Sequence, residues 1–305
     1  MSISKTLLLA LMLAYVTANA AEAFEPVFVG AAEPLRLALS KTLEPELVII
    51  ANATDGVNFD TVESAVKSRP ALDGSLSSPG SNSIGAGFSH DSLTNGRGVW
   101  NGAYLELQHR FAPRTTIYSS IQQTSKFGLD DTQFMLGGYY PINSITLNVE
   151  GTYSGTHHVI AKDSFLASLQ FPLSNGWLVT GGVKRSQYNQ GPSTQEFGVL
   201  EWYYKEFRTA LTLSNSQSLG ENMVGKRLSL SRYYNDISFI TFTVGEGREV
   251  DRSVGRKIFL DTRSIGLNGR HWFNPAWAVN WAVTEGKEGR AYNHTGVSLG
   301  LRHNF

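Results

Sequence analysis

Val297-Ser298-Leu299-Gly300-Leu301-Arg302-His303-Asn304-Phe305 decides how the chain is read. In an extended strand successive side chains point to opposite faces. Val297, Leu299, Leu301, His303 and Phe305 therefore share one face, and Ser298, Gly300, Arg302 and Asn304 share the other. An amphipathic strand closed by an aromatic residue is the pattern that the barrel assembly machinery of the outer membrane recognises. Val297, Leu299, Leu301 and Phe305 are accordingly expected to form an assembly signal. Alone, one final Phe says little; its weight comes from what precedes it.

Upstream the same period of two recurs. Ala103, Leu105, Leu107, His109 and Phe111 alternate with Tyr104, Glu106, Gln108 and Arg110. Ile145, Leu147, Val149, Gly151 and Tyr153 alternate with Thr146, Asn148, Glu150 and Thr152, and Trp277, Val279, Trp281 and Val283 with Ala278, Asn280, Ala282 and Thr284. Each run has one apolar and one polar face, as a half-buried strand does. Residues 237–245 carry apolar side chains on both parities, which leaves their faces open. About fourteen such segments follow residue 83, near the ~9–11 residues that cross a bilayer as a tilted strand. The expected fold is all-β: a transmembrane antiparallel up-and-down barrel of about 14 strands over residues 83–305.

Two further patterns agree. Connections are expected to alternate between short (112–114, 142–143, 174–176, 205–206, 235–236 and 274–276) and longer (126–131, 154–163, 188–194, 216–225, 247–262 and 286–291), as periplasmic turns and external loops do. Aromatic residues gather at the short turns: Phe111, Tyr140, Phe171, Trp177, Trp202, Tyr204, Phe207, Tyr234, Phe273 and Trp277. Amphipathic rings prefer the headgroup level, so they are expected to form an interfacial girdle.

The start of the chain is an address. Lys5 precedes an apolar run over 7–16. That run is too short to span a bilayer, which takes about 20 residues of helix. Ala18-Asn19-Ala20 then offers a cleavage site, with Ala21-Glu22-Ala23 as a second. Residues 1–20 are read as a secretory signal peptide, which implies export. Residues 21–82 are expected to be a partly helical periplasmic segment and linker. Pro34 opens one helical pattern (33–43), Asp60 can cap another (60–68), and a Ser-, Gly- and Pro-rich stretch follows.

Composition narrows the function. The 305 residues carry 26 Lys+Arg and 26 Asp+Glu. No basic surplus is present to suit a nucleic-acid partner. There is no Cys, hence no disulfide framework and no thiolate metal site. No cofactor is implied, and no G-x-S-x-G, H-E-x-x-H or phosphate loop appears. A lipid-modifying enzyme is thus a minor alternative. His90, His109, His271 and His303 fall on the apolar parity near strand ends, where an interfacial role suffices.

The stretch from about residue 83 to Phe305 resembles the YaiO family of outer-membrane β-barrels. The likeness runs through Leu228-Ser229-Leu230-Ser231-Arg232-Tyr233-Tyr234-Asn235-Asp236, residues 265–273 and the final strand. It implies a barrel in the bacterial outer membrane and brings no catalytic residues. Many relatives carry helical repeats ahead of the barrel, for which residues 21–80 are too short, and the family is associated with envelope polymers.

If the apolar parity faces lipid, Glu106, Arg110, Glu150, Lys184, Glu201, Asn268 and Arg270 face the lumen. Their mixed signs suggest mutual pairing, and strong selectivity for ions of one sign is not expected. His157, His158 and Asp163 can be imagined as a metal site, but neighbouring side chains on a loop seldom converge, and a solvated loop is the better reading. Arg248, Arg252, Arg256 and Lys257 are placed in a charged external loop, as candidate contacts to lipopolysaccharide phosphates. Three functions remain: a structural barrel or narrow pore, a conduit or accessory for envelope polysaccharide, and the lipid-acting enzyme. The expected partners are outer-membrane lipids, lipopolysaccharide, the assembly machinery and envelope polysaccharide.

Overall fold

An open sheet in hydrocarbon would leave two edges of unpaired N–H and C=O groups, each costing several kcal/mol. Closure removes that cost. The computed structural model describes residues 82–305 apart from 113, 235–236 and 254–255, and they form a closed barrel. The first half comprises β1 (Asn82–Leu93), β2 (Val99–Ala112), β3 (Thr115–Lys126), β4 (Leu129–Ile142), β5 (Ile145–Ser154), β6 (Asp163–Pro172) and β7 (Trp177–Tyr188). The second half comprises β8 (Gly191–Tyr204), β9 (Phe207–Ser218), β10 (Glu221–Tyr234), β11 (Ser238–Ser253), β12 (Arg256–Trp272), β13 (Trp277–Glu288) and β14 (Tyr292–Asn304). Each strand pairs antiparallel with its neighbour in sequence, and β14 returns to β1. Asn82 and Phe305 exchange main-chain hydrogen bonds of 2.8 and 2.9 Å, which marks the near end of the barrel. The readings for residues 1–81 lie outside the described residues.

Parity divides the side chains as lipid requires. On β14, Val297 and Leu299 are about half exposed (49% and 47%), while Arg302 is 5% exposed. The undecided segment 237–245 sorts cleanly on β11: Ile240, Phe242 and Val244 point out, and Phe239, Thr241 and Thr243 are buried inside. The outer face stays apolar for about eight residues from the near end. It then turns polar at Arg185, Glu196, Lys226, Glu246, Arg263 and Glu285. At ~3.3 Å per residue and a tilt of ~40°, that belt stands ~20 Å tall, close to the apolar band of known barrels.

This switch corrects the expected loops. Of the longer connections, 154–163 remains a loop, running over 155–162 between β5 and β6. The others are strand carried onward and turned in two or three residues. Above the belt both faces meet water, so hydropathy stops alternating while the backbone ladder continues. The charged stretch 246–263 is therefore a hairpin of β11 and β12, the longest strands, with 16 and 17 residues. Phe127-Gly128 and Leu219-Gly220 close their hairpins with positive φ at both positions of each turn. That geometry matches the right-handed twist of the strands they join.

Candidate functional site

The inner face is polar and its charges are engaged. Glu106 on β2 bonds Arg302 on β14 at 3.0 Å, although β1 lies between them. The reach is possible because the intervening residue of β1 is Gly85, where a Cβ would overlap the Glu106 side chain. Arg302 also donates to the Ser83 hydroxyl (2.6 Å) and to Gln108. Two residues back along β2, Tyr104 lies over Gly87 of β1 and Gly300 of β14. Two side chains of β2 thus staple β14 across two rows of missing Cβ atoms.

The remaining lumen candidates sit on the same inward parity. Glu150 accepts from the Tyr118 hydroxyl at 3.1 Å, beside Tyr139 and Met135, and Lys184 is within electrostatic reach of it. Glu201 pairs with Arg208 near the end of β8, with both side chains almost wholly buried. Arg270 donates to Asn280 at 2.6 Å and stands 5.9 Å over the Phe239 ring. Asn268 is half-buried one inward position away, and Arg110 is likewise engaged inside. These ion pairs and hydrogen bonds are what buried charge demands. From β9 to β11 the inner wall changes character. Ser231 and Thr241 hydroxyls meet at 2.8 Å, and Ser229 and Thr243 at 3.2 Å, with Thr212, Ser214 and Ser216 alongside.

Two groups of side chains turn inward at the far end. Trp100, Leu260 and Tyr292 pack together with Phe127, Leu93, Ile258 and Ala291, and the Lys126 ammonium stands 4.6 Å over the Trp100 ring. Nearby along the wall, loop 155–162 folds inward onto Asp131 of β4. The buried Asp131 carboxylate accepts from the N–H groups of His158 (2.9 Å), Val159 (2.7 Å) and Ile160 (3.1 Å), and from His158 Nδ1 at 3.0 Å. Asn189 reaches across from the next turn to the His157 carbonyl at 2.7 Å. His158 thus turns to Asp131 and not to Asp163, and no metal-binding cluster is present among the described residues. Sequence reasoning missed Asp131, because nothing local distinguishes it from the adjacent Asp130.

On the outside, Phe111, Tyr140, Phe171, Trp177, Trp202, Tyr204, Phe207 and Phe273 are exposed at the near end, with Tyr234 half-buried beside them. Trp177, Trp202 and Tyr204 stack in sequence at 5.8 and 5.4 Å, and Trp277 stacks on His303 at 4.2 Å. Parity splits the aromatic pairs that looked alike in sequence: Tyr139 turns inward and Tyr140 outward, Tyr203 inward and Tyr204 outward. Among the external cations, Arg248 pairs with Asp261 (2.9 Å) on the outer face of the hairpin, and Lys257 with Glu221 (2.6 Å). Arg252 and Arg256 lie in the hairpin backbone, registered with Lys257 and Ser253.

A closed antiparallel barrel with an apolar outer belt and a polar, charge-paired interior is an outer-membrane β-barrel. The chain belongs to the YaiO family: the profile of the YaiO membrane beta barrel domain matches residues 81–252. A search of curated proteins finds no match. Among solved structures, a bacterial polysaccharide outer membrane secretin is similar in fold, with a TM-score of 0.53 and 9% identity over 73% of this chain and 98% of that one. The Acinetobacter baumannii outer membrane protein Omp33 gives 0.48 and 11% over 75% and 100%. An outer membrane channel from Pseudomonas putida gives 0.47 and 12% over 76% and 98%.

Proposed function

We propose that this protein is a narrow outer-membrane pore for small polar solutes, with little preference for either sign of charge and no catalytic role. The observation that carries this reading is the inner face. Its carboxylates and cations neutralise one another, whereas the β9–β11 wall offers short hydroxyl side chains that exchange hydrogen bonds with water or solute at little cost. Loop 155–162 and the Trp100 cluster turn inward at the far mouth. Planar-bilayer recording of the purified chain tests it. Small steps with near-equal cation and anion permeability are expected, and a sealed bilayer or strong selectivity for one sign would refute it.

The hydroxyl wall also favours a second reading, passage of an envelope polysaccharide, whose hydroxyls match such a lining. Blockade of the conductance by oligosaccharides but not by salts of similar size would select it. In either case Val297, Leu299, Leu301 and Phe305 serve as the assembly signal, and the aromatic girdle fixes the depth of the barrel. Arg248, Arg252, Arg256 and Lys257 meet lipopolysaccharide phosphates at the cell surface. Exposed ion pairs are worth less than ~1 kcal/mol, so a phosphate can displace the carboxylate from a pair such as Arg248–Asp261. A fall in outer-membrane level on deletion of Phe305 would support the assembly role; unchanged levels would remove it.

A further inference from the structure

Three strands end on the same tripeptide pattern at the near end: His109-Arg110-Phe111 on β2, His271-Trp272-Phe273 at the end of β12, and His303-Asn304-Phe305 on β14. The middle residue points inward, so each imidazole faces out with its Phe, one row deeper in the girdle. Two residues before the outermost ring, β6 has Leu169, β8 has Trp202 and β10 has Arg232. The histidines are thus confined to one arc, β12-β13-β14-β1-β2, on every second strand.

Each imidazole spends the same nitrogen on the protein. His109 Nδ1 meets Asn82 Oδ1 at 2.8 Å, His303 Nδ1 meets the Ala276 carbonyl at 3.1 Å, and His271 Nδ1 meets the Tyr234 hydroxyl at 3.3 Å. A carbonyl only accepts, so His303 carries its proton on Nδ1, and the amide oxygen asks the same of His109. On His109 and His303 that leaves Nε2 with a lone pair, whereas the Tyr234 hydroxyl can donate to or accept from His271 Nδ1; no described residue hydrogen-bonds Nε2 on any of the three. The rings are held in place by Phe111 (4.2 Å), Phe273 (5.2 Å), Trp277 (4.2 Å) and Phe305 (5.8 Å). The neighbours across the ladder are uncharged: Ile117 beside His109, Val279 beside His271, Ile84 and Trp277 beside His303. The charged groups near this level are Arg232 on β10, Lys205, which stands 5.4 Å over the outward Tyr204 ring, Glu206 beside it, Arg114 in the turn after β2, and the carboxylate of Phe305.

We propose that His109, His271 and His303 form a titratable row that binds the phosphates of anionic phospholipids at the near-end headgroup level. The occupant follows from depth and chemistry. The girdle sets these rings where lipid phosphates lie. On His109 and His303 a proton taken up at Nε2 turns a bare acceptor into a charged donor aimed out of the barrel, the partner a phosphate needs, and a second proton on the His271 ring makes it a charged donor from either tautomer. The row makes lipid binding rise with acidity, on one side of the barrel and not around it.

The test uses the full chain in nanodiscs of phosphatidylcholine with or without phosphatidylglycerol, extracted and weighed by native mass spectrometry. About threefold more phosphatidylglycerol should be retained at pH ~5 than at pH ~8, with no such gain for phosphatidylcholine. The triple variant His109→Gln, His271→Gln, His303→Gln should lose the gain. Equal retention at both pH values, or an undiminished gain in the triple variant, overturns the proposal. If the triple variant lacks the heat-modifiable mobility of a closed barrel, His109→Gln alone decides: a reduced gain supports the row, and an unchanged one overturns it.

Discussion

The wall around β14, β1 and β2 and the wall from β9 to β11 are both polar inside, yet they are built on opposite plans. Around the seam, glycines leave room and long side chains from a neighbouring strand are laid over them. Tyr104 covers Gly87 and Gly300, and Glu106 crosses Gly85 to reach Arg302. From β9 to β11 short hydroxyl side chains dominate, and the paired ones meet their cross-strand partners and go no further. The first plan couples strands that are not neighbours. The second couples neighbours only, with Arg208 and Arg227 as long side chains among the short ones. One cylinder is therefore built in two ways on different arcs.

Mutations on the two walls should separate accordingly. Glu106→Ala leaves Arg302 buried without its carboxylate, and a loss of about 3–5 kcal/mol is expected in the unfolding free energy measured by urea titration. A loss below ~1 kcal/mol would mean that the staple is ornamental. Gly300→Val drives a side chain into the Tyr104 hydroxyl and the Ala86 carbonyl. It should cost up to ~3 kcal/mol by the same assay. A cost as low as that of Ser229→Val on the other wall would erase the contrast. Asp131→Asn removes the charge that gathers three loop N–H groups, at ~2 kcal/mol of local stability. Single-channel records should then show larger or noisier steps with an unchanged unfolding midpoint. Ser231→Ala deletes one hydroxyl of the Ser231–Thr241 pair, at ~1 kcal/mol or less. Conductance is the sharper readout there, and it should change more than stability does.

Much of this architecture is legible in the residues. Parity on Val297, Leu299 and Leu301 tells outside from inside, because hydrocarbon punishes any polar group it meets. The same rule sets Glu106, Glu150, Glu201 and Arg270 inside without knowledge of their partners. The rule falls silent where the solvent changes. Beyond the belt, Lys226, Glu246 and Arg263 sit on outward positions in water, so residues 247–262 read as a loop although most of them are strand. Partners across an intervening strand are equally hidden. Nothing in the spacing of Glu106 and Arg302 shows that they meet, since the cause is a glycine on a third strand. Asp131 is invisible because its role is defined by main-chain N–H groups, which carry no sequence signature.

The seam has a mechanical consequence. β1 and β14 are joined by register pairs that run antiparallel from Ser83↔Asn304 to Leu93↔His294. A pull along β14 from its near end therefore loads the ladder in shear, where the bonds share the force, rather than peeling them one by one. Tyr104 and Glu106 tie the same strand to β2 from within. The final strand, with Gly296, Ser298 and Gly300 on its inner face, is thus fastened on both edges and from behind. The cylinder would be expected to yield elsewhere before it opened along the line where the chain closes on itself.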